Sequence, residues 1–282
     1  QYCKENNDEY KGDLPSRVNG EQGGPIGVLF AYGAHPVILG PENLRISGDY
    51  AGRAEREVEQ NFGDHAVAIF ALGFAGNVNA AFETRSFDEV ETAGEALGRA
   101  VLEAMKTAPA GSGHTLAART RIVPLPLQPV PSLEEAERTI RRERDRLAEM
   151  YGRPDRETQV AAQRAMIEWA SDLASLARQG VQEQTLDLEV QVLTLGPTAL
   201  VGLSAEIFAE YAPMLQELSP FEATFPLSIA NGAIGYLPTA AAFAEGGYEV
   251  EGAPRFYGVL GFRPVVEDIV RRALAELLAE EL

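Results

Sequence analysis

Two short apolar runs separated by one amphipathic stretch constrain the first half of this chain more than any other feature. Ile26 to Ala31 is bounded by Gly-Pro and Gly and reads as a buried strand running into His35-Pro36. Ala66 to Leu72 reads as a second buried strand. Between them, Tyr50 to Phe62 places Ala51, Ala54 and Val58 on one helical face, with Asp49 where an N-cap is expected. A long helix is expected over Phe87 to Thr107. The second half changes character. Leu186, Leu188, Val190 and Val192 alternate with polar residues, Gly196-Pro197 turns, and Thr198 to Leu203 returns, which predicts a β-hairpin. His114 to Leu127 alternates weakly, and its prolines confine it to an edge strand. Further elements are expected as a helix over Ala205 to Leu218, a strand over Thr224 to Ile229, a short helix over Thr239 to Ala244 and a terminal helix over Pro264 to Leu282. Strand–helix alternation followed by hairpins gives an α/β fold class (α+β layered), a mixed sheet flanked by helices.

Ser132 to Gln179 stands apart, dense in Arg, Glu and Ala with a Gly-Arg-Pro break at 152–154. Leu133, Ala136, Ile140 and Leu147 recur at helical spacing while Glu and Arg interleave on the other faces, so an inserted helical hairpin is expected over 132–180. It reads as an amphipathic cover for the sheet; a subdomain or a dimer contact is the alternative. Residues 1–24 are polar and rich in turn formers and are expected to be a loop or frayed start. Residues 25–282 are expected to form one catalytic-type domain.

The net charge of −18 argues against nucleic acid as a partner, because duplex binding rests on phosphate neutralisation by Lys and Arg. No run of about 18 apolar residues predicts a transmembrane helix. Cys3 is the single cysteine, so neither an intramolecular disulfide nor a thiolate metal cage is expected. The chain opens on Gln1 and shows no secretory signal before Gly27, and cytoplasmic and exported locations both stay open.

The chemistry-bearing residues stand at strand ends, where α/β proteins place ligands. His35 ends the first strand and is held by Pro36. Glu206 follows an apolar strand and stands either as a helix N-terminal charge or as a metal ligand. Asp49 is a helix cap or an acceptor behind His35. Asn77 and Asn79, in Gly76-Asn-Val-Asn79, make a tight turn or present amides to a carbonyl oxygen. Tyr236 and Tyr248 lie in the glycine-rich block from Ser228 to Glu249, well placed to turn a phenol into a cleft. His65 and His114 read as solvent-exposed loop residues. An imidazole, a carboxylate and a phenol around one cation, joined by a further histidine, would make a hydrolytic metal centre.

The ordered pieces Ala-Tyr-Gly-Ala-His-Pro, Ile-Ser-Gly-Asp-Tyr-Ala-Gly, Gly-Phe-Ala-Gly-Asn-Val-Asn, Gly-Leu-Ser-Ala-Glu-Ile-Phe and the Ala-Asn-Gly to Gly-Gly-Tyr-Glu block resemble the neutral/alkaline (non-lysosomal) ceramidase family, particularly its shorter bacterial relatives. The resemblance covers roughly Ile26 to Gly111 and Thr185 to Gly261. It implies a zinc-dependent hydrolase of lipid, specifically sphingolipid, metabolism that cleaves an N-acyl amide of a ceramide-like or other small-molecule substrate. It also implies Zn²⁺ ligands at His35, Glu206 and Tyr236, an oxyanion donor at Tyr248, and supporting roles for Asp49 and Asn77. Two departures stand out. The family's other zinc histidine lies in an upstream His-x-His motif, and Gln1 to Ala34 contains no histidine, so a missing N-terminal part is expected. The family's essential serine is replaced by Asn79, which cannot act as a nucleophile. The family's immunoglobulin-like C-terminal domain is expected to be absent, since the sequence closes on a helix. The alternatives are a catalytically silent ceramidase-like binding or structural protein, and a hydrolase of a soluble amide or ester.

Overall fold

The computed structural model describes residues 16–19, 25–63, 66–107, 115–151 and 156–280. His65, His114, Cys3 and the Gly-Arg-Pro break lie outside the described residues.

The first half builds a three-stranded sheet. β1 (Ser16–Asn19) runs antiparallel to β2 (Pro25–Tyr32), and β2 pairs in parallel with β3 (Val67–Leu72). A strand therefore lies within the segment expected to be loop. A parallel pair needs a crossover, and α1 (Asp49–Phe62) supplies it. Its buried Ala54 and Val58 pack with Val28, Phe30 and Ala68 of the sheet and with Val101 and Met105 of α2 (Phe87–Thr107).

The second half builds a four-stranded sheet in the order β4 (Leu116–Pro126), β5 (Thr185–Leu195), β6 (Thr198–Leu203), β8 (Ala223–Leu227). β4 is at the edge, as its prolines require, yet it pairs with β5 along its full length. β5 and β6 form the expected antiparallel hairpin, and β8 joins β6 in parallel. The largest core gathers on this sheet, with Leu188, Val190, Val201 and Leu203 fully buried. The expected terminal helix, α8 (Val266–Ala279), buries Val270, Leu274 and Leu277 in the same core.

The helical hairpin is α3 (Leu133–Met150) and α4 (Glu157–Arg178). A capping box starts α3: Ser132 Oγ accepts from the Glu135 N–H at 3.3 Å, and the Glu135 carboxylate accepts from the Ser132 N–H at 2.9 Å. Ala136, Leu173 and Ala174 turn into the main core, so the hairpin covers the sheet. Among the described residues no helix is long and apolar enough to cross a membrane. The architecture is the expected α/β arrangement of mixed sheets flanked by helices.

One element departs from expectation in a way that matters for chemistry. Glu206 does not open a helix. It lies in a two-residue strand, β7 (Glu206–Ile207), and α5 begins only at Tyr211 (Tyr211–Leu218). β7 pairs in parallel with β9 (Tyr236–Leu237), which no local pattern announces. The chain then passes through α6 (Ala242–Glu245), a π-helical turn over Tyr248–Gly252, and α7 (Ala253–Phe256).

Candidate active site

The loops leaving β2 and β3 meet side by side. The His35 N–H donates to the Val78 carbonyl at 2.8 Å, and the Ala80 N–H donates to the His35 carbonyl at 3.4 Å, so the His35 backbone is clipped to the strand-like stretch around Asn79. The Tyr50 hydroxyl donates to the neighbouring Ala34 carbonyl, tying α1 to the same loop. Burial pushes that phenol's pKa up, with Tyr32 and Asp49 adding to the effect, so it stays a donor.

The loop after β3 also grips β7. The Gly76 N–H donates to the Ile207 carbonyl at 2.6 Å, and a Cβ on Gly76 would sit 2.5 Å from the Glu206 carbonyl oxygen. Only glycine permits this approach. The Glu206 N–H donates to the Gly235 carbonyl at 2.9 Å, which places Glu206 opposite Tyr236 in the β7–β9 register. Residues 35, 206 and 236 thus converge through one continuous set of backbone contacts.

Their side chains meet. His35 Nε2 lies 3.4 Å from Glu206 Oε2, and His35 Nε2 is buried without a hydrogen-bond partner. The His35 and Tyr236 rings are edge-on with centroids 6.2 Å apart. Tyr248 stands edge-on to Tyr236 at 6.1 Å and is 56 % exposed, a rim position beside that phenol. Tyr257 also stands edge-on to Tyr236, at 6.5 Å, and its hydroxyl donates to Glu206 Oε1. Burial first, then the Glu206 carboxylate, drives the Tyr236 phenol well above its ordinary range; burial and the hydrogen bond to Glu206 do the same for Tyr257. Without a cation both phenols are neutral, and a cation bound at the Tyr236 oxygen would reverse that preference there while Tyr257 stays a donor to Glu206.

The supporting residues fall differently from their expected roles. Asp49 is the first residue of α1 at φ +50°, behind the N-cap residue Gly48. Its carboxylate accepts from the Tyr50 N–H at 2.8 Å and the Leu39 N–H at 3.1 Å, so it braces the loop rather than the imidazole. Asn77 is a tether: its amide N–H₂ donates to both Glu210 oxygens at 2.9 Å, and its carbonyl accepts from the Ala209 N–H at 2.8 Å. Asn79 is exposed beside His35. Sequence reasoning missed Tyr257, whose Arg-Phe-Tyr-Gly setting resembles ordinary packing; the Gly258 that follows, at φ +73°, was the one local sign of a turn there.

Among the described residues no group of three or more His, Cys, Asp and Glu side chains is placed to hold a metal. His35 and Glu206 contribute two such donors, and the third has to be a phenol. An unpartnered imidazole nitrogen facing a carboxylate oxygen, with a phenol beside them, suits a small divalent cation. These three would be part of a catalytic zinc set, which keeps a position for water and here still calls for the further histidine expected upstream.

Among solved structures, neutral ceramidase from Pseudomonas aeruginosa matches with a TM-score of 0.62 at 18% identity, covering 94% of this chain and 45% of the ceramidase. The chain has a neutral ceramidase fold. A ceramidase solved in complex with C2 matches with a TM-score of 0.63 at 16% identity, over 94% of this chain and 47% of that one. The chain therefore spans less than half the length of these ceramidases. No protein-family model matches the sequence, and no curated protein does. The ceramidase-like frame agrees with the resemblance read from the motif order.

Proposed function

We propose that the chain carries the catalytic core of a ceramidase-type hydrolase that cleaves an N-acyl amide, with Zn²⁺ held by His35, Glu206 and Tyr236 together with the further histidine that the family's His-x-His motif supplies. The observation that carries this reading is the orphaned, buried Nε2 of His35 facing Glu206 Oε2 at 3.4 Å with Tyr236 beside them. A buried polar atom left unpaired costs about 1–3 kcal/mol unless something absent from the chain itself satisfies it. The likeness to ceramidase structures supports an amide, and a lipid amide, as the substrate class.

Zinc, when bound there, supplies a Lewis acid that makes water a nucleophile near neutral pH. The chain's own residues do the rest. Asn79 cannot form a covalent intermediate, so the oxygen that attacks the carbonyl carbon comes from water. As the C–O bond forms, the carbonyl electron pair becomes an oxyanion, and the Tyr248 hydroxyl on the rim is the donor available to it. When the C–N bond breaks, the amine leaves with a proton derived from that water. Asn77 acts indirectly, by holding the loop to the segment after β7.

The test measures zinc by mass spectrometry and hydrolysis of a fluorogenic N-acyl amide, for the wild-type protein and Glu206→Ala. Near-stoichiometric zinc and activity, both lost in the variant, are expected. A variant that keeps its metal and its activity rejects the reading. Zinc without hydrolysis in the wild type would instead favour a silent ceramidase-like binding protein, the role that Asn79 in place of a serine would fit.

A further inference from the structure

Glu206 is 8 % exposed, and its carboxylate is approached by His35, Tyr257 and the Tyr236 phenol. Oε2 faces His35 Nε2, while Oε1 accepts from the Tyr257 hydroxyl. We propose that Tyr257 is the positioning residue for this carboxylate: it holds Oε1 so that Oε2 stays turned toward His35 and open to a cation. This rests on the zinc reading above only for what the carboxylate then binds.

The surroundings fix Tyr257 on three sides. Its ring stands edge-on to Tyr236, with an interplanar angle of 86°. It also lies against Gly235, where an added Cβ would come 3.6 Å from the ring, and where φ of +117° already demands glycine. The backbone is closed by the Tyr257 N–H to the Ala253 carbonyl at 3.3 Å and the Gly258 N–H to the Arg255 carbonyl at 3.2 Å. From behind, Trp169 of α4 donates its indole N–H to the Val259 carbonyl at 2.8 Å, and the Arg255 guanidinium stacks 5.4 Å from the Trp169 ring. The inserted hairpin thereby buttresses the turn that presents the phenol. Tyr236 cannot do the same job if its own oxygen is a ligand. A group that orients a ligand through its second atom typically changes metal affinity by about 10–100-fold when removed.

The experiment has a metal-bound and a metal-free arm. Zinc affinity is measured by competition with a chromophoric chelator for the wild type, Tyr257→Phe and Tyr248→Phe, and Co²⁺ replaces Zn²⁺ for visible spectroscopy. Tyr257→Phe is expected to bind zinc about 10–100-fold more weakly and to change the cobalt bands. Tyr248→Phe, which touches no Glu206 oxygen, should stay within about twofold and keep the bands. In excess chelator, urea unfolding of Tyr257→Phe, Glu206→Met and the double variant forms a cycle. A coupling of about tenfold or more in the unfolding constant is expected for a hydrogen bond to a charged group. Absence of that coupling, or unchanged zinc affinity in Tyr257→Phe, overturns the proposal. A wild-type protein that binds no zinc but retains the coupling supports Tyr257 as the carboxylate's anchor and rejects the metal-dependent function instead.

Discussion

Gly76→Ala is the sharpest perturbation of the site, because it changes one methyl group and no charge. The residue touches two things at once. Its N–H donates to the Ile207 carbonyl at 2.6 Å, and its missing Cβ points at backbone: 2.5 Å to the Glu206 oxygen, and 3.0 Å to each of the Glu206 and Ile207 carbonyl carbons. Backbone cannot rotate aside as a side chain can. Opening the oxygen contact from 2.5 Å to a tolerable 3.0–3.4 Å requires β7 and the loop to separate by roughly 0.5–0.9 Å. Overpacking of this kind costs about 1–3 kcal/mol, and stretching the 2.6 Å hydrogen bond adds about 1 kcal/mol. The same separation moves Glu206 away from the loop to which the His35 backbone is clipped, and misplacement by about 1 Å commonly costs about a hundredfold in rate. Urea unfolding should show the lower midpoint, and chelator competition should show weaker zinc binding in the same protein. Gly52→Ala is the matched control: it lies inside α1 with nothing within 4 Å of the added Cβ, so a gain of about 0.5–1 kcal/mol is expected. Gly76→Ala with an unchanged midpoint and unchanged metal affinity would refute the claim that this loop sets the position of β7.

Two further outcomes follow from the same contacts. Asn77→Asp replaces a donor to Glu210 with a second carboxylate 2.9 Å away, so a loss of about 1.5–3 kcal/mol is expected at pH 7 and less at pH 4, measured by urea midpoints at the two values. The phenols of Tyr236, Tyr257, Tyr50 and Tyr211 are all held above their ordinary value, chiefly by burial, whereas the unfolded chain ionises near about pH 10. Their contribution is therefore intact below about pH 10 and is lost as pH rises toward the folded values, so in excess chelator unfolding should consume hydroxide, and the share of tyrosinate absorbance that belongs to these four should appear together with loss of structure.

Elements whose signals are local were legible in the sequence. Phe87–Thr107 is helical as expected because helical spacing runs unbroken through it, and the β5–β6 hairpin follows from alternation interrupted by Gly196-Pro197. The helix expected from Ala205 failed for a non-local reason. Its first residues are apolar enough for either state, and pairing with β9 thirty residues later, closed by Gly76, makes strand the better solution. Asp49 and Asn77 were recognisable as polar residues at strategic turns, but which partner each would take depends on loops distant in sequence: Leu39 for one, Glu210 for the other. Tyr257 was invisible because a phenol beside Phe256 and Gly258 has no pattern of its own; its role exists only once Glu206 is in reach.

The manner in which the donors are held decides how the site responds to damage. From His35 the backbone bonds run to Val78 and Ala80, from Gly76 to Ile207, from Glu206 to Gly235, and from Phe208 to the Leu237 carbonyl at 3.3 Å. Not one of these bonds uses a side chain of His35, Glu206 or Tyr236. Backbone spacing between the donors is thus set by the main chain with the Asn77 and Tyr50 side chains as added ties, and the donor side chains are oriented within the space it defines. A site assembled in this way keeps its geometry when a donor is neutralised, since the pairing that places residue 206 beside residue 236 does not depend on the charge at 206. It has little defence against a change that wedges the main chain apart, and for that reason an added methyl at Gly76 should do more harm to the frame than removal of the Glu206 charge.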